Sequence, residues 1–289
     1  MIIPVKTLQN GFALPVYGFG TWQMGGRLEH NHTNDDAADI LAIQTAIDMG
    51  VTHFDTAEVY AAGYAEELLG RAIKKYNRSK LFITSKAKPI NFKHDDLINS
   101  CKQSLQRVGT DYFDLYLLHH YSASIPLAET IGALDELVRQ GLIRNIGVSN
   151  FTKEHLADTQ NLTKNKIVCD QVHLSLEFRE PEVTGLLKYC QNNDVFLVAW
   201  RPTGKGKLAK DAPPIVQEMC KRYQKTPTQI AINWLISQDH VVTLSKTTNI
   251  AHLKENLGAI GWEMAIEDIE LLQKEYPNQK DVSDTVKLG

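Results

Sequence analysis

The chain has 289 residues, of which 43% are hydrophobic and 22% charged, and a formal net charge of −3 at pH 7. This composition excludes a disordered or fibrous chain, and the scattered Lys and Arg residues argue against nucleic acid as a partner, because phosphate-backbone binding needs a concentrated basic surface. Met1 to Asn10 lack the apolar run of a signal peptide, no stretch approaches the roughly 18 apolar residues of a membrane span, and no cysteines have CxxC spacing, so we expect a cytoplasmic protein without a membrane partner.

The N-terminal region predicts a β-hairpin. Asn10-Gly11 is a strong signal for a two-residue turn, and it separates the short apolar stretches Val5–Leu8 and Phe12–Leu14. We expect this hairpin to precede the repeating part of the chain and to close the N-terminal end of a barrel.

After the hairpin, strand-like runs alternate with amphipathic helical patterns. Gly50, Gly109 and Gly141 follow three of the helical patterns, where a left-handed residue commonly ends a helix, and Pro227 suits the first turn of another. The predicted strands are Val16–Gly20, Thr52–Asp55, Leu81–Ser85, Phe113–Leu118, Ile143–Val148, Ile167–Gln171, Val195–Ala199 and Val241–Leu244. The predicted helices are Asp36–Met49, Glu66–Lys75, Asp95–Val108, Leu127–Arg139, Lys153–Thr159, Pro181–Gln191, Ala212–Tyr223 and a segment from Pro227 to Leu235.

This order of elements predicts an α/β fold, the (β/α)8 TIM barrel. Eight strands at intervals of about 25–45 residues, each followed by a helix, fit that barrel better than an open sheet. A doubly wound sheet, the main alternative, would need a GxGxxG turn after its first strand, and the chain has only Gly18 and Gly20 there with no helical pattern following. Nothing in the sequence marks a linker, so we predict one domain over residues 1–289.

Ionisable residues end three successive predicted strands. Asp55, Lys86 and His119 stand at these ends, and Tyr60 follows Asp55 in the next loop. The C-terminal ends of parallel strands share one face of a barrel, so these four groups are expected to converge. Each alone has an ordinary structural interpretation, as a helix cap, a solvated lysine, a buried histidine or a packed tyrosine. Together they favour an active site.

These four residue types suit proton donation by the tyrosine. A free Tyr has a pKa of about 10, and a nearby ammonium favours the phenolate, so Lys86 is expected to lower the pKa of Tyr60. Asp55 would pair with Lys86, because a lone buried ammonium is costly. His119 would hydrogen-bond the substrate oxygen and orient it.

Three stretches resemble the signatures of the aldo-keto reductase superfamily, as found in its bacterial-type members. The stretch Phe54–Tyr60, followed by Glu67–Gly70, resembles the first signature. The stretch Ile143–Phe151 resembles the second. The third resembles Lys246-Thr247 with Glu255-Asn256. These stretches occur in the family's order and span most of the chain.

The resemblance implies an enzyme that reduces aldehydes and ketones to alcohols. Asp55, Tyr60, Lys86 and His119 match the family's catalytic tetrad, in which the tyrosine is the general acid. Family members take a hydride from a nicotinamide cofactor, usually NADPH, and use no metal. We therefore expect an NAD(P)H-dependent oxidoreductase that binds NADP(H) and acts on a small-molecule aldehyde or ketone.

The resemblance also implies a cofactor site. Ser149, Asn150 and Gln171 match the family's ligands for the nicotinamide carboxamide, and Trp200 stands where a tyrosine usually stacks on the nicotinamide. An indole stacks as well as a phenol. The other matched positions are Arg201, Pro202, Thr203 and Gly204 in the pyrophosphate loop and Lys246, Thr247, His252, Glu255 and Asn256 around the adenosine phosphate.

The cofactor site departs from the family pattern at three positions. Arg201 replaces a small serine, and its side chain would either pair with the pyrophosphate or point outward. Ser245 stands where proline is usual, and His252 stands where an arginine normally binds the 2′-phosphate. Lys246 and Thr247 still suit a phosphate, so we hypothesise a preference for NADPH.

Aromatic residues after the first and fourth barrel strands are candidates for the substrate pocket. Trp22, His120 and Tyr121 lie there, and with Trp200 they would suit an apolar or mixed carbonyl compound. Short loops and the polar tail Asn278–Gly289 predict an open site with broad specificity. We expect a monomer.

Two other functions fit parts of the pattern. One is a cofactor-sensing module with little turnover, as in channel-associated members of the same superfamily. The other is a phosphate-handling barrel isomerase or lyase in which Lys86 forms a Schiff base. Carbonyl reduction is the interpretation that uses all four strand-end residues.

Overall fold

The protein closes eight parallel strands into a barrel, with a separate two-stranded hairpin at its N-terminus. The computed structural model describes the backbone of residues 1–289 and every side chain except that of Lys205. The barrel order is β10-β3-β4-β5-β6-β7-β8-β9, so neighbouring strands follow one another in the chain and the last closes on the first. The predicted (β/α)8 architecture with an N-terminal hairpin is confirmed.

Helices connect the barrel strands and cover the outside of the barrel. The strands are β1 (Val5–Thr7), β2 (Ala13–Pro15), β3 (Tyr17–Gly20), β4 (His53–Asp55), β5 (Phe82–Ala87), β6 (Leu115–Leu118), β7 (Ile146–Ser149), β8 (Ile167–His173), β9 (Phe196–Trp200) and β10 (Val241–Ser245). The helices are α1 (Asp36–Asp48), α2 (Tyr64–Ile73), α3 (His94–Val108), α4 (Leu127–Arg139), α5 (Lys153–Asn161), α6 (Glu180–Val183), α7 (Leu186–Asn192), α8 (Lys207–Lys210), α9 (Pro214–Tyr223), α10 (Pro227–Ile236), α11 (Ile250–Leu257) and α12 (Ile266–Glu275).

The predicted elements differ from the structure mainly at their ends. The helix predicted over Pro181–Gln191 is two helices, because Gly185 adopts φ 78° and breaks the pattern between α6 and α7. The strand predicted over Phe113–Leu118 pairs regularly only from Leu115 onward, and Phe113 makes one isolated bridge to Ile143. Helices α8, α11 and α12 were not predicted from the sequence.

The hairpin turn is longer than the sequence predicts. Three residues, Gln9, Asn10 and Gly11, connect the ends, with the Leu8 N–H donating to Phe12 O at 2.8 Å and the Gly11 N–H donating to Leu8 O at 2.9 Å. Gly11 has φ 86°. This is the geometry of a type I turn followed by a left-handed glycine, so the prediction of a two-residue turn is wrong while the hairpin itself is confirmed.

The hairpin packs against the N-terminal end of the barrel. Leu8, Phe12 and Leu14 are buried in one cluster with residues from inside the barrel. The Phe12 ring lies 6.0 Å from Phe82 and 6.1 Å from Phe196, which are the first residues of β5 and β9. These contacts close that end of the barrel.

The alternation of side chains along each strand decides which residues point into the barrel at its C-terminal end. On β5, Ile83 and Ala87 pack outward against the helices, and Ser85 bonds to Glu66 of α2. Thr84 and Lys86 therefore point inward. The same period of two aims the last residue of several other strands at the barrel mouth, and these residues are Asp55, Ser149 and Trp200.

A close approach inside the barrel gives a stability prediction. A Cβ atom on Gly18 would lie 2.5 Å from Leu244 Cδ2 and 2.7 Å from Nδ1 of the buried His53. We expect Gly18→Ala to lower the free energy of unfolding by about 1–3 kcal/mol, because the packed interior cannot move aside freely. Urea unfolding measures this, with Gly132→Ala in α4 as the control, since a Cβ there meets nothing within 4 Å. Equal stability of the two variants would contradict the steric argument.

Candidate active site

Four polar side chains meet at the C-terminal ends of β4, β5 and β6. Lys86 Nζ donates to Asp55 Oδ1 at 2.6 Å, to the Thr56 carbonyl at 2.8 Å and to the Tyr60 hydroxyl at 3.2 Å. The Tyr60 ring lies 5.6 Å from the His119 ring, edge to face. The structure thus brings together all four residues that the sequence placed at strand ends.

The backbone after Tyr60 is held in an unusual conformation. Ala61 and Ala62 both have positive φ, at 51° and 55°, which L-residues rarely adopt. Such conformations cost free energy and persist only where the surroundings fix them, often at functional sites. The turn places the Tyr60 ring between two aromatic neighbours, Trp22 at 5.0 Å and His119 at 5.6 Å.

Lys86 is charged in its buried position. Its side chain is fully buried, and burial alone would lower its pKa. The Asp55 carboxylate, with Tyr60, outweighs burial and holds the pKa of Lys86 above its usual value. A charged ammonium therefore faces the Tyr60 hydroxyl.

Tyr60 is a protonated phenol at neutral pH. Burial raises the pKa of Tyr60, the Lys86 ammonium opposes that shift, and the Asp55 carboxylate adds to it. The sequence-based expectation of a lowered pKa is therefore wrong in its net direction, because burial exceeds the effect of the ammonium. The phenol keeps the proton that a general acid must hold.

His119 is a neutral imidazole. Burial lowers its pKa well below the usual value, and the charges of Lys86 and His120 lower it further. The neighbouring His120 ring is stacked on it at 4.8 Å, and burial with Lys86 lowers the pKa of His120 too. Neutral imidazole donates or accepts one hydrogen bond without bringing charge to the site.

A second group of polar side chains lies at the ends of β7 and β8. Gln171 Nε2 donates to Asp55 Oδ2 at 2.9 Å, which joins this group to the first. Ser149 Oγ donates to the Gln171 carbonyl at 2.7 Å. The Asn150 Nδ2 atom donates to the His119 carbonyl at 3.2 Å and to Ser149 Oγ at 2.9 Å.

Asn150 presents an acceptor atom without a partner. The residue has φ 60° and is almost fully buried, and among the residues that the structure describes no hydrogen-bond donor reaches its Oδ1. A buried unsatisfied acceptor is costly and calls for a ligand that donates a hydrogen bond. The amide of a nicotinamide carboxamide fits this requirement.

The Trp200 ring is stacked on a residue that the sequence did not single out. His173 lies parallel to it at 4.3 Å with an interplanar angle of 12°. The two residues are paired in register at the ends of β8 and β9. That pairing is the signal that would have identified His173, because in-register neighbours on parallel strands put their side chains side by side.

The side chain of Arg201 points to the C-terminal segment. It bonds to Thr285 Oγ1 and lies 3.6 Å from Asp284 Oδ1, and its backbone has φ 59°. The guanidinium carbon also lies 5.1 Å from the centre of the Trp200 ring, so the side chain is held between Trp200 and the C-terminal segment and does not point freely into solvent. In the segment Arg201–Gly204, which the sequence matched to a pyrophosphate loop, Pro202 has no N–H and the Gly204 N–H donates to the Arg201 carbonyl at 3.2 Å.

Residues 280–289, which we call the C-terminal strap, cross the ends of β7 and β8. The Gly289 N–H donates to the Asn150 carbonyl at 3.0 Å, and the Arg179 N–H donates to the Lys280 carbonyl at 2.9 Å. Between these points Ser283 Oγ bonds to His173 Nδ1 at 2.8 Å. The polar tail that the sequence identified is therefore bonded to the ends of β7 and β8, and the openness of the site stays a prediction.

The residues predicted for the adenosine phosphate lie around β10 and α11. Lys246 is partly buried, and in the described structure no carboxylate lies within 4 Å of its Nζ. Burial lowers its pKa, and Asp39 opposes that shift. Thr247 is buried beside it, and His252 is exposed on α11. Glu255 lies on the same helix.

Asn256 is engaged within the protein. Its Nδ2 donates to Ser245 Oγ at 2.9 Å and approaches the Tyr17 hydroxyl at 3.4 Å, and Ser245 also bonds to Tyr17. The serine at position 245 therefore connects β10 to β3 and α11. The sequence did not reveal the part played by Tyr17, because its partners lie more than 200 positions away.

The predicted substrate-pocket residues are divided between two places. Trp22 and His120 lie beside Tyr60 and His119. The Tyr121 ring is stacked on His155 of α5 at 3.5 Å and lies edge to face with Phe151 at 5.6 Å. The structure therefore brings Trp22 and His120 to Tyr60 and His119, and it places Tyr121 against His155 and Phe151.

Two kinds of feature are missing from the described residues. They contain no group of three or more His, Cys, Asp or Glu side chains placed to hold a metal ion. They also contain no helix that is long and apolar enough to span a bilayer.

The sequence matches a model of the aldo/keto reductase family over residues 17–276. It is 35% identical to methylglyoxal reductase YeaE of Escherichia coli strain K12 over 277 residues, which cover 93% of each chain. It is 33% identical to the NAD/NADP-dependent indole-3-acetaldehyde reductase of Schizosaccharomyces pombe over 273 residues, which cover 90% of each chain.

Solved structures share the fold over nearly the whole chain. A thermostable aldo-keto reductase in complex with the inhibitor epalrestat matches with a TM-score of 0.90 and 42% identity, covering 94% of this chain and 99% of that chain. An aldo-keto reductase from Klebsiella pneumoniae in complex with NADPH matches with a TM-score of 0.84 and 31% identity, covering 98% of each chain.

Proposed function

The chain belongs to the aldo/keto reductase family of oxidoreductases, and on this basis we propose that it reduces small aldehydes or ketones to alcohols with NADPH as the hydride donor. The observation that carries the proposal is the hydroxyl of Tyr60, which lies 3.2 Å from a charged, buried Lys86 at the mouth of the barrel. A single domain over residues 1–289, a monomeric state and a cytoplasmic location stay predictions.

Tyr60 donates the proton in this proposal. Its hydroxyl keeps its proton at neutral pH because burial raises its pKa. As the substrate oxygen gains charge, the proton passes from Tyr60 Oη to that oxygen, and the Lys86 ammonium stabilises the phenolate that is left. Asp55 keeps Lys86 charged and aimed at the hydroxyl.

His119 orients the substrate. Its neutral imidazole faces the Tyr60 ring, so a carbonyl oxygen placed between them would accept one hydrogen bond from each. Trp22 and His120 would border the same space. A neutral histidine at this position does not compete with Tyr60 as the proton donor.

A nicotinamide cofactor bound at this mouth supplies the hydride. Asn150 Oδ1 would accept a hydrogen bond from its carboxamide, with Ser149 and Gln171 beside it. Trp200 would stack against the nicotinamide ring. The backbone N–H group of Thr203 would bind the pyrophosphate.

Lys246 supports the preference for NADPH. A partly buried ammonium without a close carboxylate suits an anion, and the 2′-phosphate is the group that distinguishes NADPH from NADH. Thr247 and His252 would complete this phosphate site. A relative that is named as NAD/NADP-dependent shows why the preference needs a direct test.

We expect Lys246→Met to raise the Kd for NADPH about 10- to 100-fold and to change the Kd for NADH less than about threefold, since only NADPH has a phosphate to lose. Isothermal titration measures both constants. Lys254→Met on the exposed side of α11 is the matched control. An equal loss for the two cofactors would contradict the assignment of Lys246.

The proposed function is tested by a carbonyl substrate screen that follows NADPH absorbance. The panel contains methylglyoxal, because one relative is named for it, together with aromatic and aliphatic aldehydes and ketones. We expect steady turnover with several of them. Tight NADPH binding without turnover of any carbonyl would overturn the proposal and favour a cofactor-sensing role.

A further inference from the structure

Two side chains contact the ring of Trp200. His173 is stacked on one face at 4.3 Å, and Phe178 is stacked on His173 at 4.4 Å, so His173 lies between two rings. The guanidinium carbon of Arg201 lies 5.1 Å from the centre of the Trp200 ring. The position of the indole therefore depends on how His173 and Arg201 are held.

Ser283 of the C-terminal strap fixes His173. Its hydroxyl oxygen accepts the N–H groups of Thr285 and Val286, each at 3.2 Å, so its own hydrogen is left to donate to His173 Nδ1 at 2.8 Å. A hydroxyl with two acceptor bonds and one donor bond is fully used. This arrangement fixes both the direction of the hydroxyl and the plane of the imidazole.

Asp284 of the same strap holds Arg201. Its Oδ1 lies 3.6 Å from an Arg201 Nη1 atom and accepts a bond from Thr285 Oγ1 at 2.8 Å. Thr285 in turn bonds to Arg201. One carboxylate and one hydroxyl therefore keep the guanidinium beside Trp200.

The strap has further anchors besides these two side chains. The buried carboxylate of Glu180 accepts the Ser283 N–H at 2.9 Å and the Leu288 N–H at 3.3 Å. Gly289 bonds to the Asn150 carbonyl at 3.0 Å. Removing the charge of Asp284 should therefore leave the strap in place. Removing the hydroxyl of Ser283 also frees the Thr285 and Val286 N–H groups, but it keeps the anchors at Glu180 and Asn150.

We propose that Ser283 and Asp284 are positioning residues of the cofactor site, which hold His173 and Arg201 and through them fix the ring of Trp200 against the nicotinamide. The inference rests on the proposed function, in which Trp200 stacks on the cofactor. The physical basis is that the rate of hydride transfer depends steeply on where the nicotinamide ring is placed. If the Trp200 ring is held less firmly, both the affinity for the cofactor and the rate of hydride transfer should fall.

The test compares Ser283→Ala and Asp284→Asn with Asp281→Asn, an exposed neighbour on the same strap. We expect each of the two variants to raise the Kd for NADPH and to lower kcat by about 3- to 10-fold, and to increase the primary isotope effect on kcat with 4-deuterated NADPH. The thermal midpoint of Asp284→Asn should stay that of the control, whereas Ser283→Ala also frees the Thr285 and Val286 N–H groups and should lower the midpoint slightly. Ser283→Thr, which keeps the hydroxyl, should restore the wild-type values.

A double-variant cycle separates positioning from general loosening. If Ser283 acts through Trp200, Ser283→Ala should change the Kd much less in a Trp200→Ala background than in the wild type. Equal effects in both backgrounds would overturn the inference. So would an unchanged Kd and isotope effect in Ser283→Ala and Asp284→Asn.

The outcomes also distinguish this inference from the proposed function. An active wild-type enzyme with unaffected strap variants overturns the inference and leaves carbonyl reduction standing. A wild type that binds NADPH without turnover overturns carbonyl reduction, and the Kd values alone then decide on the strap. A wild type that does not bind NADPH overturns both.

Discussion

Replacing Tyr60 with Phe is expected to lower kcat for carbonyl reduction by about 10²- to 10⁴-fold, the usual contribution of a positioned general acid. The substitution removes the hydroxyl that accepts the bond from Lys86 and keeps the ring between Trp22 and His119. Because the expected cofactor contacts lie at the ends of β7 to β10, the Kd for NADPH should change less than about threefold.

The matched control is Tyr76→Phe, which also removes a hydroxyl, in this case one that bonds to Asp48 at 2.8 Å outside the barrel. Steady-state rates and NADPH titrations are measured on both variants. A Tyr60→Phe enzyme with kcat within tenfold of the wild type would show that another group donates the proton.

Replacing Lys86 with Met is expected to damage both rate and stability. The rate should fall about 10²- to 10⁴-fold, because the phenolate of Tyr60 loses the charge that stabilises it. The free energy of unfolding should fall by about 3–5 kcal/mol, because the Asp55 carboxylate is left buried without its partner. Rates are measured with saturating NADPH, and stability by urea unfolding.

The double variant Lys86→Met, Asp55→Asn separates these two losses. Removing both charges should recover a large part of the stability, since no unpaired buried charge remains, while the rate stays low. A double variant that recovers activity along with stability would show that Lys86 acts only as a structural partner of Asp55.

The sequence predicted the features that follow from the alternation of strands with helices and from the two-residue alternation of side chains along a strand. The three predicted strands whose ends carry Asp55, Lys86 and His119 run through apolar residues first, and the period of two along a strand decides which side chain reaches the mouth. Asp55, Lys86 and His119 could be placed by that rule alone. Tyr60 followed from its position just after one strand end, and the barrel followed from the order of strands and helices.

Contacts between distant segments could not be predicted in the same way. The C-terminal strap has no periodic pattern, so nothing in its sequence showed that Ser283 would meet His173, 110 positions earlier. The network of Tyr17, Ser245 and Asn256 joins parts of the chain that only barrel closure brings together. Such contacts depend on the geometry of the closed fold.

The direction of the Tyr60 pKa also needed the structure. The sequence identified a nearby ammonium, which favours the phenolate. It did not show how deeply the hydroxyl is withdrawn from water, and burial is the larger effect. The net shift of the Tyr60 pKa depends on how far the hydroxyl is buried. The spacing of residues in the sequence does not give that depth.

The hairpin at the N-terminal end has a consequence for proton supply. Leu8, Phe12 and Leu14 fill that end with apolar atoms, and further apolar side chains, among them Leu117 and Val198, lie in the same cluster inside the barrel. If Tyr60 is the proton donor, as proposed, we therefore expect solvent protons to reach Lys86 and Tyr60 from the mouth. With a substrate over that mouth, the phenol would have one proton to give, and it would regain another from water after the product leaves. Reprotonation would then be tied to product release, with one proton taken up from solvent in each cycle.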